Sequence, residues 1–312
     1  MIFTFAIVII EENFSEHNRN LRILPLSRER YLKPSWKYRT EGTLWRLLPA
    51  AHGLLVGEDR DRASKTTSFF CLAETSGKPK WERIRFPEDW WIGLETVHRD
   101  VLFLHEYVRP DLPTHGKIIA VDLASGRMLW SNGELRFQFA QEDWVYACKD
   151  NYKSRQYFRL DLYTGMVLRD DGVQTDYATR IRADTASHES DDAKYPQPTD
   201  VSIPERHSLP HSFVQTLTSQ RISAIELLEE PPYLIVGYYA ARKTSLADTE
   251  LDQHLKVFDT VRGKLAYEDV MARSVKSPAP GLFFSRHGYL FYIKDNNTLV
   301  GVRLDRSNAS RH

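Results

Sequence analysis

The chain has 312 residues, 42% of them hydrophobic, with 42 lysines and arginines against 42 aspartates and glutamates. A formal net charge of zero gives no nucleic-acid partner to expect, because phosphate binding needs a net or local basic excess. No run approaches the ~20 apolar residues of a membrane-spanning helix, and two cysteines, Cys71 and Cys148, are too few for a disulfide framework and read as reduced core thiols.

Residues Ile2 to Ile10 are apolar and rich in β-branched side chains. They read as a buried strand rather than a secretory signal, because the first basic residue is Arg19 and no small-residue cleavage site follows. A cytoplasmic protein is expected. From Trp36 onward a short signature recurs: an apolar strand, an acid, two or three residues, a glycine, then often a tryptophan. A weak copy runs from Trp36 to Gly42 with Trp45 after it. Fuller copies are Phe69 to Gly77 with Trp81, Ile118 to Gly126 with Trp130, Tyr157 to Gly165, and Leu255 to Gly263 with Tyr267, and a truncated one spans Leu299 to Asp305.

The glycine intervals are 35, 49, 39 and 98. A spacing of ~40–50 residues belongs to propeller blades of four strands, and the long last interval leaves room for one poorly marked unit between Gly165 and Gly263. The chemistry suits tight hairpins. Asp122, Asp161 and Asp259 can accept hydrogen bonds from amides further along the turn, while Gly126, Gly165 and Gly263 supply positive φ. The aromatic residue that follows can wedge against a neighbouring blade.

Ahead of each signature lies a continuous apolar run: Leu54–Glu58, Val101–His105, Trp144–Cys148, Tyr233–Gly237 and Tyr289–Ile293. Runs of this kind fit strands buried on both faces. Ala224 to Glu230 is the nearest approach to a helix, and Pro231-Pro232 stops it. Residues 183–212 hold six acids, two bases and four prolines, a composition that builds no core. The expectation is an all-β chain forming one β-propeller over 1–312, of about six blades with five and seven as alternatives. An irregular N-terminal unit, 1–48, offers a strand to close the ring with 278–305, and 183–212 is a polar insertion.

The glycine–tryptophan hairpins resemble those of quinoprotein-type (PQQ-repeat-like) β-propellers. More narrowly, the chain is similar to an uncharacterised bacterial family of propeller-like proteins, a domain of unknown function. The stretches that carry this are Gly42–Pro49, Glu58–Asp61, Trp90–Gly93, Leu102–His105, Ile119–Asp122 and Phe283-Phe284. The resemblance implies a fold and little about activity. Many propellers with this repeat bind no quinone, and no adjacent cysteine pair exists here, so no cofactor is expected.

Candidate chemistry gathers at strand ends. Glu58, Asp59, Arg60 and Asp61 end one apolar run, His105 and Glu106 end the next, and Asp111 and His115 follow on its loop. Carboxylates beside imidazoles can bind a divalent metal or act as an acid–base pair, but the spacing matches no ligand motif, and no metal is assigned. Trp90-Trp91 should send one ring into the core and leave the other as a stacking platform. His188, His207 and His211 read as a chance surface set.

No Walker loop, nucleophile elbow or zinc-ligand cysteine pair is present. The function expected is a protein-interaction or ligand-binding scaffold without redox cofactor, taking a protein partner or small polar ligand on a surface that includes Trp90, Trp91, Glu58 and His115. The alternative is a hydrolase or lyase with an axial site around His105, Asp59, Arg60 and Asp111.

Overall fold

A computed structural model describes residues 31–109, 112–152, 154–173, 192–199, 222–242, 250–279 and 281–304. These form five antiparallel sheets, which we number as blades in chain order. Blade I holds β2 (Thr43–Ala50), β3 (Leu54–Asp61), β4 (Thr66–Ala73) and β5 (Pro79–Ile84). Blade II holds β6 (Ile92–His98), β7 (Val101–Arg109), β8 (Leu112–Asp122) and β9 (Met128–Asn132). Blade III holds β10 (Arg136–Gln141), β11 (Trp144–Asp150), β12 (Arg155–Asp161) and β13 (Val167–Gly172).

Blade IV has five strands, β14 (Gln197–Thr199), β15 (Ile222–Glu230), β16 (Tyr233–Arg242), β17 (Glu250–Asp259) and β18 (Lys264–Val275). Blade V takes β19 (Phe283–Arg286), β20 (Tyr289–Lys294) and β21 (Thr298–Arg303) from the end of the chain, and its fourth strand, β1 (Pro34–Arg39), from the beginning. β1 pairs antiparallel with β21, Lys37 opposite Val300 and Arg39 opposite Thr298. The ring is thereby clasped through strands about 260 residues apart in sequence, which covers an edge that would otherwise be open.

Strand periodicity explains how blades stack. On β3, Leu55 packs into a cluster with Trp36, Phe70 and Phe291 towards blade V, while its neighbour Val56 packs with Ile92, Leu102 and Ile119 of blade II. On β7, Leu102 and Leu104 face blade I, and Val101 and Phe103 join Val145 and Leu160 of blade III. Leu228, Val257 and Tyr267 of blade IV pack with Phe283, Tyr292 and Val300 of blade V. Each middle strand is therefore apolar on successive residues, because both of its faces are interior.

The recurring signature fastens one blade to the next. Trp36 donates its indole N–H to the Glu74 carbonyl at 2.9 Å, Trp81 to Leu123 at 2.8 Å and Trp130 to Leu162 at 2.9 Å. Each acceptor sits in the β-turn of the following blade, and each ring covers that turn's glycine. At Gly165, φ is +68° and a Cβ would stand 2.5 Å from the Trp130 ring; Gly77 meets Trp36 in the same way. The glycine is needed twice, for its backbone angle and for the absence of a side chain. Asp122, Asp161 and Asp259 accept amide hydrogen bonds within their turns, from Ser125, from Tyr163 and Thr164, and from Val261 and Arg262.

Among the described residues there are five blades, the lower of the two alternatives to the expected six. The copy at Trp36–Gly42 is not a separate unit, because its strand β1 completes blade V and the next strand, β2, opens blade I. Among the described residues, the interval of 98 holds one blade after blade III, whose first strand, β14, is separated in sequence from its second. Ala224 to Glu230 lies within β15, and no α-helix occurs among the described residues. Of the 183–212 insertion, residues 192–199 are described. Lys194 pairs with Ser285 on β19 through two backbone hydrogen bonds, and β14 follows. His188, His207, His211 and Asp111 lie outside the described residues.

Candidate functional site

The site is built by two irregularities in blade II. In the β6–β7 ladder Leu94 pairs with Leu104 and Thr96 with Phe103, so Glu95 is an extra residue in a bulge. A bulge re-aims the side chain it carries. The first strands of blades I and III carry bulges at matching places, with Trp45 and Gln138 as the extra residues. In the β7–β8 ladder His105 pairs with Ile118 but Tyr107 pairs with His115, so two steps on β7 answer three on β8. This slip brings His115 over His105.

The two imidazoles stack almost parallel, 3.5 Å between centroids and 6° between planes. His115 Nδ1 lies 2.7 Å from Glu95 Oε2 in a hydrogen bond. His105 Nδ1 lies 2.8 Å from the same oxygen, but out of line for a hydrogen bond, and its Nε2 has no hydrogen-bond partner either. His105 is only 3% exposed. Burial pushes the Glu95 carboxyl up, but its contacts with His105 and His115 outweigh burial and hold it at about 2. A fixed anion thus faces two imidazoles. Tyr107 meets both rings edge-on, at 5.0 and 5.5 Å, and Trp91 meets Tyr107 edge-on at 6.3 Å.

Behind His105 lies a buried ion pair on β3 of blade I whose two members hydrogen-bond across to the backbone of blade II. Glu58 accepts a hydrogen bond from the Leu94 amide at 2.8 Å and pairs with Arg60 Nε. Arg60 also donates to the carbonyls of Ile92 at 2.6 Å and Trp90 at 3.2 Å, and its guanidinium lies near the faces of Trp45 and Trp90. Gly93 makes this convergence possible. A Cβ there would stand 3.2–3.3 Å from His105 Nε2, Arg60 Nη2 and Glu58 Oε2 together. Arg46 reaches from β2 to the Leu94 and Glu95 carbonyls and braces the bulge.

The structure sorts the residues singled out from the sequence. His105 and His115 come together. Glu58 and Arg60 stand beside them but are engaged in joining blades. Asp59 turns to the other side of β3, where it accepts from the amides of Gly42 and Glu41, so the proposed axial set of His105, Asp59 and Arg60 does not assemble as a catalytic group. Trp90 and Trp91 are not on a strand, and neither ring is core. They sit in a bend where Glu88 accepts both of their amides, 6.5 Å apart and edge to face. The expectation of one core ring rested on strand alternation, and the bend removes it. Glu95 is the member that sequence reasoning missed; its position becomes special only through the bulge.

Among the described residues, Glu95, His105 and His115 form one group of side chains whose ligand atoms could hold a metal ion. The small cleft lined by Tyr38, Thr40, Asp59, Glu82 and Arg83 includes none of them.

Comparison with known proteins adds one family. A family model described as "Domain of unknown function (DUF4905)" matches residues 49–130, which takes in the site and blade II as far as Trp130. No curated protein matches. Among solved structures, the chain is similar to "KlHsv2 with loop 6CD replaced by a Gly-Ser linker", with 8% identity, 81% of this chain and 75% of that one covered, and a TM-score of 0.27. It is also similar to the Penicillium chrysogenum α-L-arabinanase complexed with arabinobiose (11% identity, 86% and 82% covered, TM-score 0.25). A third is BBS1N in complex with ARL6DN (9% identity, 89% and 98% covered, TM-score 0.23). Likenesses at these TM-scores carry no argument about what this chain does.

Proposed function

We propose that the chain is a ligand-binding scaffold without redox cofactor, and that its binding site is the Glu95–His105–His115 group on blade II. One observation carries this: His105 is buried, its Nε2 has no hydrogen-bond partner, and its Nδ1 is held 2.8 Å from Glu95 Oε2 out of line for a hydrogen bond. A buried polar group poorly satisfied in this way costs about 1–3 kcal/mol, which a ligand that engages the ring offsets. Two of the residues that the hydrolase or lyase alternative needs free are engaged elsewhere: Arg60 binds Glu58 and the backbone of the next blade, and Asp59 caps a turn. The likeness to quinoprotein hairpins is a likeness of the turn-and-tryptophan fastening, which serves blade packing, and no part of this reading needs a quinone.

The test is a thermal-shift panel of zinc, nickel, manganese, arabinose, ATP and citrate, run on the wild type and on His105→Ala. A ligand at 100 times its Kd adds about 2.7 kcal/mol of stability. At least one probe is expected to raise the wild-type melting temperature by several degrees and to leave the variant unmoved. Turnover of a chromogenic ester, phosphodiester or glycoside by the wild type would instead favour the catalytic alternative.

A further inference from the structure

Resting on that assignment of the site, we infer that Glu95, His105 and His115 bind one divalent first-row transition-metal ion. Two imidazoles and a carboxylate make a donor set that suits zinc, iron, nickel or copper rather than calcium or magnesium. Glu95, His105 and His115 come from three neighbouring strands and each offers a ligand atom, all within 4.8 Å of one another; both Nδ1 atoms lie beside Glu95 Oε2. Tetrahedral ligands at about 2.0–2.2 Å from an ion sit about 3.3–3.6 Å apart, so the 2.7 and 2.8 Å contacts must open by about 0.5–0.9 Å.

Near-parallel rings cannot both aim a lone pair at one ion. One ring has to tilt, and the structure provides for it: His105 is fixed inside the blade, whereas His115 sits on the long β7–β8 hairpin with its side chain 37% exposed. A metal-bound histidine usually donates its other ring N–H to a carboxylate or carbonyl; His105 Nε2 and Glu58 Oε2 both lie beside Gly93, with no hydrogen bond between them. Three protein donors leave at least one coordination position for water or for an anionic ligand beside Tyr107 and Trp91.

The experiment uses the full chain, stripped with a chelator and titrated calorimetrically with ZnCl2, with Co2+ absorption as a second readout. One ion per chain is expected. His115→Ala, a hairpin change that leaves the core intact, and Glu95→Gln should each weaken zinc binding at least tenfold and remove the visible bands of the Co2+ form. No binding, or zinc affinity and Co2+ spectra unchanged in both variants, overturns the inference. A hit in the thermal-shift panel from a probe other than a metal, lost in His105→Ala, would leave the scaffold standing while the metal falls; loss of every His105-dependent response would remove both.

Discussion

Single side chains carry two different burdens around the site. Arg60 and Glu58 are buried and joined, and truncating one partner of such a pair strands the other charge. Arg60→Ala is expected to cost about 3–5 kcal/mol in chemical denaturation; a loss under about 1 kcal/mol would mean that the pair does not hold blades I and II together. His254 on β17 illustrates a separate effect. It stacks on Tyr238 at 4.9 Å, and burial lowers its pKa, with Asp252 and Glu268 opposing and Lys256 and Arg273 adding. With the folded value below the unfolded one, at about 6.5, the unfolded chain takes up the proton first as pH falls. Stability should therefore decline on acidification from about pH 6.5 until the folded group also protonates. His254→Gln should flatten that decline in urea melts run from about pH 7 to about pH 5, and an unchanged slope would refute it. The sequence made His105 and His115 visible as residues but not as a pair, since the slip that stacks them depends on β7–β8 register.

At the level of strands and turns, the repeat was legible because its chemistry is local. An acid accepting turn amides and a glycine at positive φ leave a mark in sequence, and so does the tryptophan that follows. The bulge was not legible: nothing in Ile92–His98 marks Glu95 as the extra residue, which is decided by pairing with β7. The tryptophan fastening makes a quantitative prediction. Trp130→Ala should cost about 3–5 kcal/mol. Gly165→Ala suffers both the strained φ and the Trp130 ring in the wild type, but only the strained φ, about 1–2 kcal/mol, once the ring is gone. The two losses should be strongly less than additive in a double-mutant cycle of denaturation measurements; additive losses would show that the ring does not rest on the glycine.

Across the whole molecule, the sequence yielded an all-β repeat, with five blades as the lower alternative to the expected six. A propeller clasped by β1 divides one signature between two blades, and among the described residues the long interval between Gly165 and Gly263 holds one sheet beyond blade III. Deleting residues 1–40 removes β1 and Trp36, exposes the edge of β21 and takes away the indole that caps the Glu74 turn. The shortened chain should associate with rising concentration in sedimentation experiments, and a stable monomer would argue against the clasp.

The central claim is that the protein binds through the carboxylate and two imidazoles of blade II. Crystals of the chelator-stripped chain, soaked in zinc and measured at the zinc absorption edge, test it directly. The account predicts an anomalous peak within about 2.0–2.2 Å of His105 Nδ1, His115 Nδ1 and Glu95 Oε2. A map with no peak there, or with zinc only at exposed histidines such as His52, would contradict it.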